Sequence, residues 1–270
     1  MLPLEKKNEE IVSSEHFSGH AALLLPLSLF ADHHEEEAKA PTMHDVWLVV
    51  PKNGMEEEFF AAVAADTALR IEGGDSREWQ IYTVAIGDHP NVVQFRYCCF
   101  DWADQDAYDE EEDGAGYNDH WNEKVAPLIE HYHRYFEVSD MENSHWPEGG
   151  GNGPFYGVTT WSQKQGTGPE SEAARKKMSQ TALNDGWATE DNNWMWMSRV
   201  GGSPKTILVS SFENFADMAP PEQSFFEFMT ETIGAEEAGK VFSDFGSGFP
   251  SSDYTVWVHQ PELSIPYPEE

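Results

Sequence analysis

Hydrophobic positions along the chain form short β-type runs and one longer helical pattern near the amino-terminal side. Residues 46–50 are apolar and mostly β-branched and are followed by Pro51, which predicts a strand. Over residues 55–71 apolar side chains return every three or four positions, which predicts a helix with one buried face. Residues 79–85 and 92–100 are predicted to form a hairpin of two strands.

The pattern after this hairpin is less regular. The segment up to Asp119 is polar and acidic, and a solvated loop is expected there. Helical spacing returns over residues 121–132, where Pro127 must kink the helix or mark a restart. A short strand over 134–138 then completes the order strand, helix, strand, strand, helix, strand.

The same order follows a second time after the glycine-rich residues 149–153. The second set of predicted elements comprises strands over 155–161, 194–200, 206–212 and 254–259, and helices over 170–183 and 224–245, the last interrupted at Gly234.

The two hairpins also match residue by residue. Trp79 corresponds to Trp194, and Pro90 corresponds to Pro204. The offset is 194 − 79 = 115 at the start and 204 − 90 = 114 further on, so only short deletions separate the two copies. Such a match predicts duplication of a unit of about 110 residues.

Each βαββαβ unit is expected to form a ferredoxin-like sheet with both helices on one face. The other face would expose many Trp and Tyr side chains, and two tandem units can cover each other's bare faces. The predicted fold is therefore α+β, with repeats at 44–148 and 154–262 closing one eight-stranded antiparallel barrel with the helices outside. Residues 263–270 are predicted to be a tail.

This arrangement resembles the dimeric α/β-barrel superfamily, which includes antibiotic-biosynthesis-monooxygenase-like and NIPSNAP-like proteins, here with two repeats fused in one chain. The resemblance covers residues 44–262 and depends on element order and the internal repeat. It implies a family of cofactor-free monooxygenases, haem-handling enzymes and small-molecule isomerases. No diagnostic motif accompanies it, so it assigns no catalytic residue to this chain.

The amino-terminal residues differ from ordinary domain sequence. Residues 21–31 are almost free of polarity, too few to span a bilayer but of the length of a signal-peptide core. We expect a signal peptide over 1–31, an acidic linker over 32–43, and a mature protein that is periplasmic or secreted. Glutamates before the apolar run are atypical of a signal peptide. Two alternatives therefore stay open: the start codon is assigned too far upstream, or the apolar run is a helix of the globular part.

Charge and cysteine content exclude several classes of partner. The 270 residues include 49 acidic and 16 basic ones, a net charge of −33, which disfavours nucleic acid and anionic membrane surfaces. No membrane contact is expected once the chain is processed. The two cysteines, Cys98 and Cys99, are adjacent, which excludes a disulfide framework. Two small strand residues are the simpler interpretation, and a vicinal redox or metal-binding thiol pair is the alternative.

Candidate metal and cofactor motifs are incomplete. The spacing of Asp109, Glu111 and Asp113 resembles a calcium loop, but His120 stands where a glutamate ligand is needed. His131 and His133 lack a carboxylate–histidine signature, and neither a phosphate loop nor a nucleophile elbow is present. The sequence therefore predicts no metal site and no cofactor, and it leaves the catalytic residues unknown.

Strand alternation predicts which side chains line the barrel. The face with Val46, Leu48 and Val50 is expected to meet the helices, and the opposite faces are expected to line the interior. A register error of one residue would exchange the two faces. The predicted ligand-binding side chains are aromatic with a few polar groups, which is typical of a small-molecule pocket: Trp47, Tyr82, Gln94, Arg96, Tyr135, Glu137, Trp161, Arg199, Trp257 and His259.

Three functions are compatible with these features. The first is an exported barrel that binds a small molecule, with Glu137 paired to one of Arg96 and Arg199 and the other arginine holding the ligand. The second is a small-molecule enzyme, such as a cofactor-free monooxygenase. The third is an acidic interaction protein whose barrel is filled by its own side chains. The ligand, the reaction and the oligomeric state do not follow from the sequence.

Overall fold

The computed structural model describes residues 42–147, 153–189 and 192–267. The expected signal peptide, residues 32–41 of the acidic linker and most of the glycine-rich segment 149–153 lie outside the described residues. The strands are β1 Met43–Pro51, β2 Gln80–Ile86, β3 Val93–Phe100, β4 Ile129–Ser139, β5 Phe155–Ser162, β6 Met195–Val200, β7 Lys205–Phe212 and β8 Ser251–His259. The α-helices are α1 Glu56–Gly73, α2 Trp102–Ala115, α3 Tyr117–His120, α4 Gly168–Asn184, α5 Phe225–Ile233 and α6 Ala235–Ser247.

The eight strands close into one barrel in the order β1-β3-β2-β8-β5-β7-β6-β4. Every neighbouring pair is antiparallel. Strands β4-β1-β3-β2 form one ferredoxin-like half and β8-β5-β7-β6 the other, and the halves meet at the β2–β8 and β4–β6 seams. The predicted fold, two tandem repeats that close a shared barrel, is confirmed.

Helix α1 covers the outer face of the first half. Three acidic residues in its first turn stabilise the helix by interacting with the positive end of the helix dipole. Gly74 ends the helix in the left-handed conformation, with a φ of +72°. Its buried residues Phe59 and Val63 pack with Ile81 and Phe95 on the outer face of the sheet. Over the second half, α4, α5 and α6 form the corresponding layer around Met178, Phe228, Met229 and Val241.

The acidic segment predicted to be a loop is instead helix α2. Asp101 caps it by accepting hydrogen bonds from the backbone N–H groups of Ala103 and Asp104, at 2.7 and 3.1 Å. The helix contacts the core through polar groups, since the Arg77 guanidinium donates to Gln105 Oε1 at 2.9 Å. A helix held by hydrogen bonds and ion pairs lacks the apolar stripe on which the sequence-based assignment depends.

The prediction of a helix over 121–132 is also wrong for the second half of that range. Trp121–Val125 forms a single π-helical turn, Ala126–Leu128 forms a 3₁₀ turn that contains Pro127, and β4 begins at Ile129. Proline removes a backbone donor and prevents the helix from continuing. The following residues pair with β1 instead, with Tyr132 opposite Val49. Within the described parts of the chain, no helix has the length and hydropathy that a membrane span requires.

Candidate functional site

The interior of the barrel encloses a cavity of about 1620 Å³, and all eight strands contribute side chains to its lining. Seven of the ten side chains predicted for the site line this cavity: Tyr82, Gln94, Arg96, Tyr135, Glu137, Arg199 and Trp257.

Two predicted lining residues lie outside the barrel. The Trp47 ring stacks on Tyr132 with centroids 5.2 Å apart, and Trp161 packs edge-to-face on Phe245 at 5.3 Å. In β1 the inward residues are Val46 and Leu48, so the prediction that they face the helices is wrong. Both faces of β1 and β5 carry large apolar side chains because both are covered, so the pattern of polarity alone could not distinguish them.

The cross-strand register explains the correct assignment. Val46 lies opposite Arg96 of β3 and opposite Tyr135 of β4. Paired residues of antiparallel strands share a face, so an inward Arg96 requires an inward Val46. In the same way Tyr156 of β5 lies opposite Trp257, which places Trp161 outside.

His259, the tenth predicted residue, is not part of the cavity lining but supports it. Its Nε2 lies 2.9 Å from Oε1 of Gln80 and 3.2 Å from the Ser264 hydroxyl. Its ring is 5.2 Å from the ring of Tyr82. Burial lowers the pKa of His259, although the nearby charge of Glu262 opposes this, so the neutral imidazole is favoured as a hydrogen-bonding partner.

Two arginines share one carboxylate inside the barrel. Arg96 Nη1 donates to Glu137 Oε2 at 2.9 Å, whereas Arg199 Nη2 lies 3.5 Å from Glu137 Oε1. The Arg199 guanidinium carbon is 3.9 Å from the centre of the Tyr135 ring. Its buried Nε has no hydrogen-bond partner among the residues that the structure describes. This cluster therefore carries one positive charge in excess, and Arg199 Nε is a buried donor available to a ligand.

Three tyrosines add neutral donors to the cavity. Tyr82 and Tyr156 pack edge-to-face with centroids 5.3 Å apart, and Tyr267 also lines the cavity. Burial raises the pKa of all three phenols, while the charge of Arg96 lowers it by a smaller amount. These side chains therefore stay protonated at physiological pH, and Arg96 is within electrostatic range of each of them.

Tyr267 belongs to the predicted tail, whose described part is fixed to β2. The Ile265 N–H donates to the Trp79 carbonyl at 3.0 Å, and Gln80 Nε2 donates to the Ile265 carbonyl at 2.8 Å. These contacts bring Tyr267 to the barrel from beyond the last strand. No hydrophobic periodicity marks such a segment, which is why the sequence does not indicate it.

His44, Cys98 and Cys99 are absent from the predicted site residues, yet all three line the cavity. The sulfur atoms of Cys98 and Cys99 are joined in a disulfide, and the peptide bond between them is cis. This differs from the simpler interpretation of two separate strand residues. An inward-facing His44 could have been found from its position opposite Cys98 and Glu137 in the register.

Of the other candidate ligands, His133 lines the cavity and the rest lie outside it. Asp109 and Glu111 lie in α2, where they accept hydrogen bonds from Gln105 and Ser76. His120 Nδ1 is 2.8 Å from Asp66 Oδ1. His131 and His133 lie on β4 rather than on a helix, with ring centroids 6.0 Å apart.

Comparison with known proteins adds evidence on the fold. No protein-family model and no curated protein matches the sequence. A proposed monooxygenase from Fusobacterium nucleatum superposes with a TM-score of 0.52 at 11% identity, covering 82% of this chain and 93% of that one. A mutant chlorite dismutase from Candidatus Nitrospira defluvii in complex with cyanide has a TM-score of 0.50 at 11% identity, covering 83% and 93%. The likeness shows a shared fold, an eight-stranded antiparallel barrel with ferredoxin-like halves. In this chain both ferredoxin-like halves of the dimeric α/β barrel are covalently joined, and at 11% identity the likeness extends to architecture alone.

Proposed function

We propose that this barrel binds a small molecule that presents a carboxylate, phenol or carbonyl group next to an extended apolar part. The observation that carries the proposal is Arg199, whose buried Nε has no partner among the described residues and whose guanidinium is 3.5 Å from a carboxylate already used by Arg96. A charged group that is incompletely paired in a low-dielectric interior is costly, and an oxygen acceptor from a ligand would satisfy it.

The rest of the lining suits the apolar part of such a ligand. Trp257, Leu48, Val158 and Ile207 face the cavity together with the tyrosines. The volume of about 1620 Å³ is larger than the roughly 300–1,000 Å³ of common small-molecule pockets. We therefore propose a ligand with several fused or linked rings rather than a single small acid.

The charge of the whole chain restricts the ligand further. The sequence carries a net charge of −33, so the surface potential opposes the approach of highly charged anions. The interior cluster offers one positive charge in excess, from Arg96 and Arg199 against Glu137. A singly charged or neutral oxygen-bearing compound is favoured over a phosphate ester or a polyanion.

An enzyme is the second candidate, favoured by the tyrosines next to the arginines. Tyr82 and Tyr156 keep their protons, and Arg96 is within electrostatic range of both. Protonated phenols and a guanidinium together can stabilise an oxyanion that develops on a bound phenol or enol. The names of the structural neighbours include a monooxygenase. Oxygen uptake in the presence of each bound compound tests this candidate directly.

Thermal shift with a panel of aromatic carboxylates, phenols and quinones tests the binding proposal. We expect at least one class to raise the melting temperature of the wild type, and Arg199→Met to lose most of that shift. Lys205→Met is the matched control, because Lys205 also lines the cavity but donates to the Ser162 hydroxyl at 2.7 Å. Absence of any shift in the wild type, or an equal response of both variants, would contradict the proposal.

We also propose that the protein is exported, on the basis of the apolar run at residues 21–31 followed by a charged segment. Amino-terminal sequencing of protein from its native host should find a chain that starts near Asp32. Recovery of intact Met1 in the cytoplasm would contradict export.

A further inference from the structure

His44, Cys98 and Cys99 form a cluster with metal-binding chemistry inside the cavity. Each offers one ligand atom, an imidazole nitrogen or a sulfur, and the three atoms lie within 4.8 Å of one another. His44 lies directly opposite Cys98 in the β1–β3 register, so strand pairing holds the two side chains together. We propose that the reduced Cys98–Cys99 pair binds a thiophilic d¹⁰ metal ion, Zn²⁺ or Cu⁺, with His44 as the third ligand.

The distance between the first two ligands already suits a bound ion. His44 Nε2 and Cys98 Sγ are 3.7 Å apart. Metal–sulfur and metal–nitrogen bonds of about 2.3 and 2.0 Å at a near-tetrahedral angle place sulfur and nitrogen roughly 3.5 Å apart. An ion could therefore bind between them with little movement of the backbone.

The surroundings of His44 independently support a bound ion. Its exposure is only 3%, and its Nδ1 has no hydrogen-bond partner among the described residues. Its Nε2 faces the Cys98 sulfur, which is a weak hydrogen-bonding group. Leaving a buried polar group without a partner is unfavourable, and coordination of an ion by the imidazole would offset that cost.

The chemistry requires a reductant. In the structure the two sulfurs are bonded to each other. A phosphine or dithiol reductant must supply two electrons, and two protons from water complete the thiols while the reductant is oxidised. Binding of Zn²⁺ then releases these two protons, because the thiolate is the ligand form. The charge of the bound bis-thiolate site is zero for Zn²⁺ and −1 for Cu⁺.

The remaining coordination positions face the cavity, since all three ligand residues line it. Three protein ligands with an open position are typical of reactive metal sites, whereas structural zinc sites are closed by four. The soft sulfur pair selects Zn²⁺ or Cu⁺ over Ca²⁺, Mg²⁺ and Mn²⁺, which prefer oxygen ligands.

Metal titration of the full-length protein tests the site. The protein is reduced with a phosphine, freed of excess reductant without oxygen, and titrated with Zn²⁺ and Cu⁺ against chromogenic chelators, with Co²⁺ as a spectroscopic probe. We expect one ion per chain and thiolate-to-cobalt charge-transfer absorption. Cys98→Ser and Cys99→Ser should each weaken binding at least about 100-fold, and His44→Gln at least about 10-fold. The oxidised protein should bind no ion at this position.

Two control variants separate this site from other histidines. His133→Gln removes another imidazole that lines the cavity, and a His33→Gln, His34→Gln double variant removes the pair in the amino-terminal acidic segment. Both should keep the charge-transfer absorption. If the Cys98→Ser, Cys99→Ser double variant binds the metal as tightly as the reduced wild type, the proposal is wrong. Far-ultraviolet circular dichroism of each variant shows whether the fold is retained. If His44→Gln does not fold, the single cysteine variants alone test the proposal.

Discussion

Glu137 and Arg199 lie directly opposite each other across the β4–β6 seam, and their charged groups are 3.5 Å apart. Glu137 belongs to the first repeat and Arg199 to the second. Arg96 reaches the same carboxylate across β1 at 2.9 Å. An ion-pair cluster with residues of both repeats therefore lies inside the shared barrel at the β4–β6 seam.

Glu137→Gln should lower stability and strengthen ligand binding at the same time. The substitution leaves two largely buried guanidiniums without their carboxylate, at a cost of about 2–4 kcal/mol. An aromatic carboxylate should then stabilise the variant by a larger thermal shift than it gives the wild type. Chemical unfolding with and without the compound measures both effects. A stability loss without a larger ligand shift would mean that the cluster only maintains the fold.

Asp45→Asn should destabilise the protein without changing ligand binding. Asp45 is fully buried on β1 and accepts hydrogen bonds from Arg134 at 2.6 and 3.0 Å and from Arg77 at 3.3 Å. Arg77 lies between the rings of Phe100 and Tyr108, away from the cavity lining. Loss of the buried charge should cost about 3–5 kcal/mol by urea unfolding.

The control for this substitution is Glu130→Gln, an exposed position on β4 that should change stability by less than about 0.5 kcal/mol. A ligand-dependent thermal shift that disappears in Asp45→Asn, but not in the control, would show that the outer ion pairs position the site.

The strand order could be predicted because apolar runs and the internal repeat are visible before any packing is known. Helix α2 could not, since its interior contacts are Tyr108, Gln105 and an ion pair to Arg70 rather than an apolar stripe. Those interactions depend on residues more than 25 positions away, which a local pattern does not contain.

The site was predictable only where one strand face was polar. Gln94 and Arg96 on β3 alternate with Val93 and Phe95, so the inward face was assigned correctly. On β1 and β5 both faces are apolar, and the inward face follows only from the register with β3 and β8. Tyr267 reaches the cavity because Ile265 is hydrogen-bonded to Trp79 and to the Gln80 side chain at the start of β2, and no sequence signal marks these bonds.

Arg175→Met should remove part of the acid sensitivity of the protein. Arg175 donates to Asp140 and to Glu172. Burial alone would raise the pKa of Asp140, but hydrogen bonds from Arg175 and Asn143 outweigh it and lower the pKa. Hydrogen bonds from Arg175 likewise lower the pKa of Glu172.

Because both folded-state pKa values are depressed, the stabilisation is complete above the unfolded-state values of about 4 and is lost as pH falls below them. Urea midpoints at pH 7 and pH 3 should therefore differ less in Arg175→Met than in the wild type. Lys176→Met, which alters an exposed lysine 3.6 Å from Glu172, is the comparison variant. The charge of Lys176 lowers the pKa of both carboxyls less than Arg175 does, so this variant should change the pH dependence less than Arg175→Met. An identical dependence in all three proteins would rule out this cluster as a source of acid sensitivity.

The first repeat expressed alone, residues 44–148, should form a homodimer or aggregate. Its sheet would lose β8 from the edge at β2 and β6 from the edge at β4. It would also expose the inward residues Val46, Leu48, Tyr82 and Tyr135 to water. A well-behaved monomer with cooperative unfolding, measured by light scattering and calorimetry, would show that the shared barrel is not required for folding.

The register of the seam allows a sharper version of this experiment. The hairpin correspondence of Trp79 with Trp194 places Val84 at the position of Arg199 (199 − 115 = 84). In a symmetric dimer of the first repeat, Glu137 of one copy would therefore lie opposite Val84 of the other, and the ion pair of the intact chain would be missing. Val84→Arg should restore this ion pair at both seams and lower the dimer dissociation constant. A gain of about 1.4 kcal/mol in the free energy of dimerisation corresponds to about a 10-fold lower constant. Val84→Met adds a side chain of comparable length without charge, so equal effects of the two substitutions would assign the gain to packing rather than to the Glu137 pair.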